Sequence, residues 1–536
     1  MTKVIVVGHG MVGSRFVEEL LARDPEHRFE VTVLGAEEYE PYNRVLLSEV
    51  VAGKVDVTAI TLPRGGRARA RVLAGTAALT IDRARREVLD SAGDTHPYDA
   101  LVLATGAAAR IPDVPGLDPL PAGVHGLRSL DDAREIVATT HNVRHAVVVG
   151  AGVLGVEVAT GLRARGLEVT VLHRGPVAMD RQLDPAAGGV LARELDRLGI
   201  ALLTGAHLEA VESSSGHVTA VRTSAGTIDG VGLLVLTAGT VPERGLAVGA
   251  GLEVAQGIVV GQGLATTRDP HVFAIGDCAQ PPGGATGLVA QGWDQARRLA
   301  AELTDEAAAA PLPAGGTDVV RVKAVGLDVV TMGVSGTRRE QIPGARTVAL
   351  SDPEGGRHVE VVVADGRVVG ATCVGAGQVA SDLVAAYTRA SPAPSDPAQL
   401  LLRPVANSPT PAASPTLMPA RTTVCQCNGV TKGDIVECWH DGATSVEEVA
   451  QATRATTGCG GCKEVVCGLL DWLAKADPEG ARTGSRAPAA EPHSAPSDGV
   501  SERFPGGNDA GNTTKHALRS VTETSGPRTR NTASLP

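Results

Sequence analysis

Six of the eight cysteines in this 536-residue chain lie between Cys425 and Cys467. Four of them follow a spaced pattern of C-x-C, then 31 residues (428 to 458), then C-x-x-C. The candidate metal ligands are therefore Cys425, Cys427, Cys459 and Cys462. Four thiolates can hold an iron–sulfur cluster or a structural zinc ion, or they can act as redox thiols, and the pattern alone leaves all three open. Of the two metal centres, only the iron–sulfur cluster provides a path for electrons.

A second chemical signal is a glycine turn near the start of the chain, where Gly8, Gly10 and Gly13 form a G-x-G-x-x-G motif. The first glycine permits a tight turn, the second lets the backbone approach a pyrophosphate, and the third lets helix and strand pack closely. Glu37 follows Gly13 by 24 residues and can accept hydrogen bonds from a ribose diol, with Glu38 as the alternative. These residues predict a bound dinucleotide.

The same motif recurs at Gly150, Gly152 and Gly155, with Glu157 two residues further on. This second unit carries Arg174 after its second strand, where an acidic residue would repel a 2′-phosphate and an arginine can bind one. We therefore expect a second dinucleotide, with NADPH favoured over NADH. The alternative for Arg174 is an exposed loop position without a ligand.

The residues around both turns indicate strand–helix–strand units. Continuous β-branched runs at 4–7 and 146–149 suit strands buried on both faces, and apolar residues at helical spacing follow each turn. We predict strands at 4–7, 31–34, 146–149 and 168–172 and helices at 11–22 and 153–165. Two such units with parallel strands define an α/β fold with two Rossmann-like domains.

Further short motifs are Leu103-Ala104-Thr105-Gly106, Thr237-Ala238-Gly239-Thr240 and Phe273-Ala274-Ile275-Gly276-Asp277-Cys278-Ala279. Together with the two glycine turns, they resemble motifs of the pyridine-nucleotide-linked flavoprotein oxidoreductases, which have two dinucleotide-binding domains. The resemblance covers roughly residues 1–305 and implies FAD at the first site and NAD(P)H at the second. It also implies that Asp277 bonds a ribitol hydroxyl of FAD and that the first domain is discontinuous. The residues of these motifs that the resemblance implies bind a cofactor are Ala104, Thr105, Gly106, Gly239, Gly276 and Asp277.

The chain departs from this family in one respect that matters for electron flow. Disulfide reductases of the family carry a cysteine pair beside the flavin, but no cysteine precedes Cys278 in this sequence. Electrons must therefore leave the flavin by another path. The four-cysteine pattern is similar to the [2Fe–2S] domain of bacterioferritin-associated ferredoxin, so we expect a [2Fe–2S] cluster there.

The combination of a flavoprotein with such a cluster domain resembles assimilatory nitrite reductase large subunits and assimilatory nitrate reductase electron-transfer subunits. The segment around Arg44 matches theirs, so Arg44 is expected to contact FAD, with a surface ion pair as the alternative. No cysteine follows Cys467, so we expect no sirohaem module and a chain that supplies electrons to a separate terminal reductase or carrier protein. Hydride transfer needs no side-chain acid or base, so no catalytic residue is assigned.

Two rival functions remain at this stage. The first is an NAD(P)H reductase of a ferredoxin, a rubredoxin or a haem protein, because the region near 317–388 resembles the C-terminal domain of rubredoxin-type reductases. The second is a redox-sensing or iron-handling protein that exchanges its cluster with a partner.

Composition sets the cellular context. The net charge of −11 argues against a nucleic-acid partner. The N-terminus enters a strand directly and no apolar run approaches 18 residues, so neither a signal peptide nor a membrane span is expected. Clustered rather than dispersed cysteines favour a metal site in the reducing cytoplasm.

The predicted domain order follows from these motifs and from the Pro-rich and Ser-rich stretches between them. After the nucleotide domains come a small α+β domain, a linker, a small helical [2Fe–2S] domain and a disordered tail. The expected boundaries are 1–115 and 243–310 for FAD, 116–242 for NAD(P)H, 315–390, 391–422, 423–473 and 474–536.

Overall fold

The computed structural model describes residues 1–62, 69–305, 318–336, 342–402, 418–425, 428–457 and 461–477. The first domain is built on a six-stranded sheet whose strands pair in parallel, apart from one antiparallel strand at the edge. Helices Met11–Ala22 and Val289–Leu303 contribute to its core. In sheet order the strands are Ala265–Thr266, Asp269–Ala274, Ala100–Leu103, Thr2–Val7, Phe29–Gly35 and Arg71–Ala74.

The second domain repeats this plan with a five-stranded, wholly parallel sheet. Its helices are Leu130–Thr140, Val153–Ala164 and Pro185–Arg197. The strands in sheet order are Ile200–Leu203, Glu168–Leu172, His145–Val149, Val231–Leu236 and Val124–Gly126, and an antiparallel sheet of Leu208–Ser214, His217–Thr223 and Gly226–Asp229 packs beside them.

The chain crosses between these two domains at a short antiparallel pair, Ala107–Ala109 with Thr240–Pro242. The first sheet takes strands that precede the second domain in sequence and strands that follow it. The remaining elements of the first domain are short: strands Ala78–Asp82, Glu87–Asp90, Thr95–Pro97, Ile258–Val259 and Ala279–Gln280, helices Leu47–Val51 and Gly245–Gly249, and 3₁₀ turns Arg44–Leu46, Val57–Ile60 and Gly276–Cys278.

A third sheet is antiparallel throughout and carries one helix, Gly377–Thr388. Its first strand, Val320–Arg321, is short, because the backbone N–H groups of Lys323 and Val325 donate to side chains of the Val153–Ala164 helix instead of to a neighbouring strand. A 3₁₀ turn at Pro397–Leu400 lies beside this sheet, within the segment expected to be linker. The strands are Val320–Arg321, Val329–Gly333, Arg367–Val374, Arg357–Ala364 and Arg346–Asp352.

The cysteine-rich domain has a two-stranded sheet, Thr423–Cys425 with Val430–Thr431, and helices Lys432–His440, Val446–Thr453 and Lys463–Ala476. Reciprocal capping boxes start the first two helices, at Thr431 and at Ser445. The last helix enters the expected tail as far as Ala476, and the Trp439 indole donates to the carbonyl of Asp477 at 3.1 Å. The tail beyond residue 477 lies outside the described residues.

The predicted fold class is confirmed, with two Rossmann-like domains followed by a small α+β domain and a small helical domain. The buried β-branched strands and the helices after each glycine turn lie where the sequence pattern places them. Across the described part of the chain, no helix has both the length and the apolar character needed to cross a bilayer.

Candidate active site and metal centre

A cavity of about 1070 Å³ lies where the first three domains meet. Its volume slightly exceeds the range typical of ligand and cofactor sites, roughly 300–1,000 Å³. Ten of the predicted site residues line it: Gly8, Gly10, Glu37, Arg44, Ala104, Thr105, Gly106, Glu157, Gly276 and Asp277.

The first glycine turn forms one end of this cavity. Gly8 has φ +115°, and a Cβ there would lie 2.2 Å from the carbonyl oxygen of Ala104. A Cβ on Gly13 would lie 2.0 Å from the oxygen of Gly8, so Gly13 serves close packing rather than lining. A Cβ on Gly10 would have Arg44 Nε as its nearest atom, at 3.8 Å, and the Met11–Ala22 helix starts there without a side-chain cap. Uncapped N–H groups beside open space fit a pyrophosphate.

Glu37 and Arg44 both line the cavity and form an ion pair with each other. The Tyr42 hydroxyl donates to the Glu37 carboxylate at 2.8 Å, and burial together with this hydrogen bond raises the pKa of Tyr42. The Arg44 guanidinium lies 4.7 Å from the centre of the Tyr42 ring and donates to the carbonyl of Arg128 at 3.1 Å. Glu37 lines the cavity, whereas Glu38 is exposed and is not among the lining residues.

Asp277 forms an ion pair with Arg128, a residue that the sequence analysis missed. The Arg128 Nε also donates to the carbonyl of Ala107 at 2.8 Å, so Arg128 ties the crossing strand to the predicted ribitol-binding carboxylate. No motif surrounds Arg128. Its contact with Asp277 joins residues 149 positions apart and exists only in the folded chain.

Glu157 lies on the same wall, although its sequence position is next to the second glycine motif. Its carboxylate is buried and accepts from the Ser48 hydroxyl at 2.5 Å and from both the Nζ and the backbone N–H of Lys323 at 2.9 Å. These three residues come from three different domains. Neither Ser48 nor Lys323 carried a sequence signal, because their contacts exist only in the folded chain.

The second glycine turn repeats the geometry of the first. Gly150 has φ +108°, and a Cβ on Gly155 would lie 1.8 Å from the oxygen of Gly150, whereas one on Gly152 would meet no atom within 4 Å. The Val153–Ala164 helix starts at Gly152 without a side-chain cap. Its first residues, Val153 and Leu154, line the large cavity, so the second turn lies beside that cavity.

Two further predicted residues belong to the second domain. Arg174 is exposed and directly follows His173, whose Nδ1 accepts from the N–H of Ala151 in the glycine turn at 3.2 Å. Gly239 has φ +98° and precedes the returning crossover strand.

Two of the four predicted metal ligands lie together in the cysteine-rich domain. Cys425 and Cys462 are both buried. A hydrogen bond from the Cys462 thiol is the largest influence lowering the pKa of Cys425 to about 6, despite burial. The Cys462 sulfur accepts from the N–H of Thr456 at 3.2 Å, and the Cys425 sulfur accepts from Asn428 Nδ2 at 3.7 Å. Such donors favour thiolates and fit a thiolate-bound metal centre.

The other two predicted ligands, Cys427 and Cys459, lie outside the described residues. Among the residues that the structure does describe, no three metal-ligating side chains cluster. Cys438 is buried in the Lys432–His440 helix, where burial raises the pKa of its thiol. Cys278 is also fully buried, and its thiol donates to the carbonyls of Leu103 and Ile275 at 3.3 Å.

Two known protein families match this chain, one over the nucleotide-binding domains and one over the cysteine-rich domain. Residues 2–299 match the family described as "Pyridine nucleotide-disulphide oxidoreductase", and residues 423–472 match the "BFD-like [2Fe-2S] binding domain". The first match covers more than half of the chain. The chain therefore belongs to the pyridine nucleotide-disulphide oxidoreductase family. It is an NAD(P)H-dependent FAD oxidoreductase, and its second matched domain adds a [2Fe–2S] cluster to its cofactors.

Individual relatives agree with this assignment. The "Assimilatory nitrate reductase electron transfer subunit" of Bacillus subtilis is 30% identical over 483 residues, which are 89% of this chain and 60% of that protein. The "Nitrite reductase (NADH) large subunit" of Escherichia coli is 31% identical over 477 residues, 88% of this chain and 55% of that protein. The chain thus spans little more than half the length of these relatives.

A solved structure shares the fold. A chain of the covalent putidaredoxin reductase–putidaredoxin complex superposes with a TM-score of 0.65 at 25% identity, over 74% of this chain and 95% of that chain. "Rhodocoxin reductase" of Rhodococcus erythropolis is 33% identical over 313 residues, 56% of this chain and 72% of that protein.

Proposed function

We propose that this chain takes a hydride from NAD(P)H onto FAD and delivers single electrons, through a [2Fe–2S] cluster, to a separate assimilatory nitrate or nitrite reductase. The observation that carries the proposal is the contact between the cysteine-rich domain and the loop beside the FAD cavity. Asn43, the neighbour of cavity residue Arg44, donates from Nδ2 to the carbonyl of Thr457 at 2.7 Å. Thr457 lies two residues before the predicted ligand Cys459.

The chain's own residues supply binding and orientation. In this proposal, the first glycine turn, the Glu37 carboxylate and Asp277 hold FAD. The second glycine turn holds the nicotinamide dinucleotide, which reaches FAD from the side of the cavity lined by Val153. When bound, NAD(P)H supplies a hydride, FAD accepts it, and the cluster carries one electron at a time. Cys425 and Cys462, together with Cys427 and Cys459, would hold the cluster.

The acceptor is inferred from the relatives. One relative is named an assimilatory nitrate reductase electron transfer subunit, and another is named a nitrite reductase large subunit. Each match covers nearly nine tenths of this chain, which includes both matched domains. We place the reaction in the cytoplasm, as the clustered cysteines predict. A second candidate is reduction of a ferredoxin, a rubredoxin or a haem protein, favoured by the similarity to rhodocoxin reductase over 313 residues.

Coenzyme preference follows from Arg174. An exposed guanidinium at the end of the second strand can pair with a 2′-phosphate at little cost in desolvation. We therefore propose NADPH as the preferred donor.

Anaerobic purification tests the core of the proposal. The protein should contain FAD, iron and inorganic sulfide, and NAD(P)H should bleach flavin and cluster absorbance within one turnover. Colourless protein, or zinc in place of iron, would refute the electron path. Turnover with purified nitrate reductase, nitrite reductase and ferredoxin then identifies the acceptor, and rapid loss of the cluster to a partner with negligible turnover would favour the iron-handling alternative.

A further inference from the structure

The cysteine-rich domain contacts one side of the Met11–Ala22 helix and the loop beside it. Three residues of the first domain make these contacts, and we call them the docking face: Arg15, Glu18 and Asn43. Glu18 and Asn43 are buried.

An ion pair lies at the centre of this interface. The carboxylate of Glu18 pairs with the guanidinium of Arg454, and the two side chains are only 9% and 22% exposed. A charge buried to this extent is costly unless a partner of opposite sign meets it. Glu18 therefore provides the charge that matches Arg454 across the interface, while burial and the nearby Arg15 guanidinium lower the pKa of Arg454. A matched pair of charges gives an interface its specificity.

A second contact leads from the docking face to a predicted cluster ligand. Arg15 donates to Asn428 Oδ1 at 3.3 Å, and the Nδ2 of the same Asn428 donates to the sulfur of Cys425 at 3.7 Å and to the carbonyl of Arg454 at 2.6 Å. One amide side chain thus connects the first domain to a ligand sulfur. Hydrogen bonds to ligand sulfurs orient the ligand and tune the centre it holds.

The interface is also adjacent to the flavin site. Met11, the first residue of the helix that begins at the glycine turn, lines the large cavity on one side. On its other side it lines a small space shared with Asn428 and Arg454. The indole of Trp293 donates to the carbonyl of Met11 at 3.3 Å and closes this layer. A single layer of residues therefore separates the FAD cavity from the cysteine-rich domain.

We propose that the docking face positions the cysteine-rich domain so that electrons pass from FAD to the cluster across the start of the Met11–Ala22 helix. This inference rests on the proposed function and adds to it the positioning residues of the internal electron transfer. Because Arg15 and Glu18 belong to the first domain, replacing them leaves every residue of the cysteine-rich domain intact.

The test uses full-length holoprotein with Glu18→Gln, Arg15→Gln and Arg454→Gln. The matched controls are Glu30→Gln in the first domain and Arg421→Gln in the cysteine-rich domain, both at exposed positions. Anaerobic stopped-flow mixing with NADPH measures flavin reduction and cluster reduction at separate wavelengths. Hydrogen–deuterium exchange reports protection of residues 11–22, and iron content and the cluster's electron paramagnetic resonance spectrum report ligand integrity.

We expect Glu18→Gln and Arg454→Gln to slow cluster reduction by about tenfold or more, since truncating one partner of a buried charge pair weakens an interface by at least that factor. Flavin reduction, iron content and the spectrum of the reduced cluster should match the parent. Hydrogen–deuterium exchange across residues 11–22 should rise. In a double variant with both Glu18→Gln and Arg454→Gln, cluster reduction should be no slower than in the slower of the two single variants.

Cluster reduction at the parental rate in Glu18→Gln and Arg15→Gln, or equal slowing in the two controls, would overturn the docking proposal. Failure of the proposed function gives a different result, because NADPH would then leave the cluster oxidised in the parent protein itself.

Discussion

Replacing Gly152 with alanine should separate coenzyme binding from folding. The Gly152 backbone has φ −71° and ψ −174°, which any residue adopts, and a Cβ there would meet no protein atom within 4 Å. Glycine is a better helix N-cap than alanine, so the substitution should lower the free energy of unfolding by about 1 kcal/mol or less. The added methyl group would instead occupy the space where the pyrophosphate of NAD(P)H approaches the backbone.

The expected loss of affinity follows from the hydrogen bonds that this approach allows. The methyl group would displace the pyrophosphate from one backbone N–H at the start of the Val153–Ala164 helix. The charge-assisted hydrogen bond lost in this way contributes about 1.5–3 kcal/mol to the free energy of binding. That loss corresponds to a rise of roughly 10- to 150-fold in the Kd for NADPH. FAD content should stay at the parental level, because the first glycine turn is untouched.

The assay is anaerobic stopped-flow reduction of the flavin at increasing NADPH concentration, with flavin content and thermal melting measured on the same samples. Gly155→Ala is the matched contrast, because its Cβ would lie 1.8 Å from the oxygen of Gly150 and should destabilise the domain itself. An unchanged Kd in Gly152→Ala, or loss of FAD along with NADPH affinity, would refute the assignment of this turn to the nicotinamide dinucleotide.

Three further predictions concern the other sites. Lys323→Met should lower the free energy of unfolding by about 3–5 kcal/mol in denaturant titrations, because it leaves the Glu157 carboxylate buried without its cation, and adding Glu157→Gln should restore part of the loss. Cys425→Ser should lose iron and sulfide in chemical assays while Cys438→Ser retains both, and equal iron in the two would contradict the ligand assignment. Arg174→Gln should raise KM for NADPH about tenfold and leave KM for NADH unchanged, since the guanidinium pairs only with the 2′-phosphate.

Local patterns were sufficient to predict the elements that carry the dinucleotide motifs. Glycines at Gly8 and Gly150 have positive φ, and the helices after both turns begin at Met11 and Val153, as the spacing indicates. These features depend on neighbours in sequence, so they can be read from the chain itself. The resemblance to known families then supplied the identity of the cofactors. For the four cysteines, the residues alone had left an iron–sulfur cluster, a zinc ion and redox thiols open.

The remaining parts of the site depend on contacts between distant segments. Arg128 reaches Asp277 across 149 positions, and Lys323 reaches Glu157 across 166. Neither cation lies in a recognisable motif, and either one could equally be a solvated surface residue in another fold. The short strand before Lys323 has the same cause, because its backbone donors are used by Glu157 and Thr160 rather than by a neighbouring strand.

One helix links the two cofactor sites that the proposed electron path requires. The N-terminal end of Met11–Ala22 carries the uncapped N–H groups beside the FAD cavity, and its flank carries Arg15 and Glu18. A helix is a stiff element, so residues fixed at its end and on its side keep a constant separation. If the docking face acts as we propose, the distance from FAD to the cluster is set by this helix rather than by the connection between domains. Lengthening the segment between residues 403 and 417 should then leave the rate of cluster reduction unchanged, whereas Glu18→Gln should lower it.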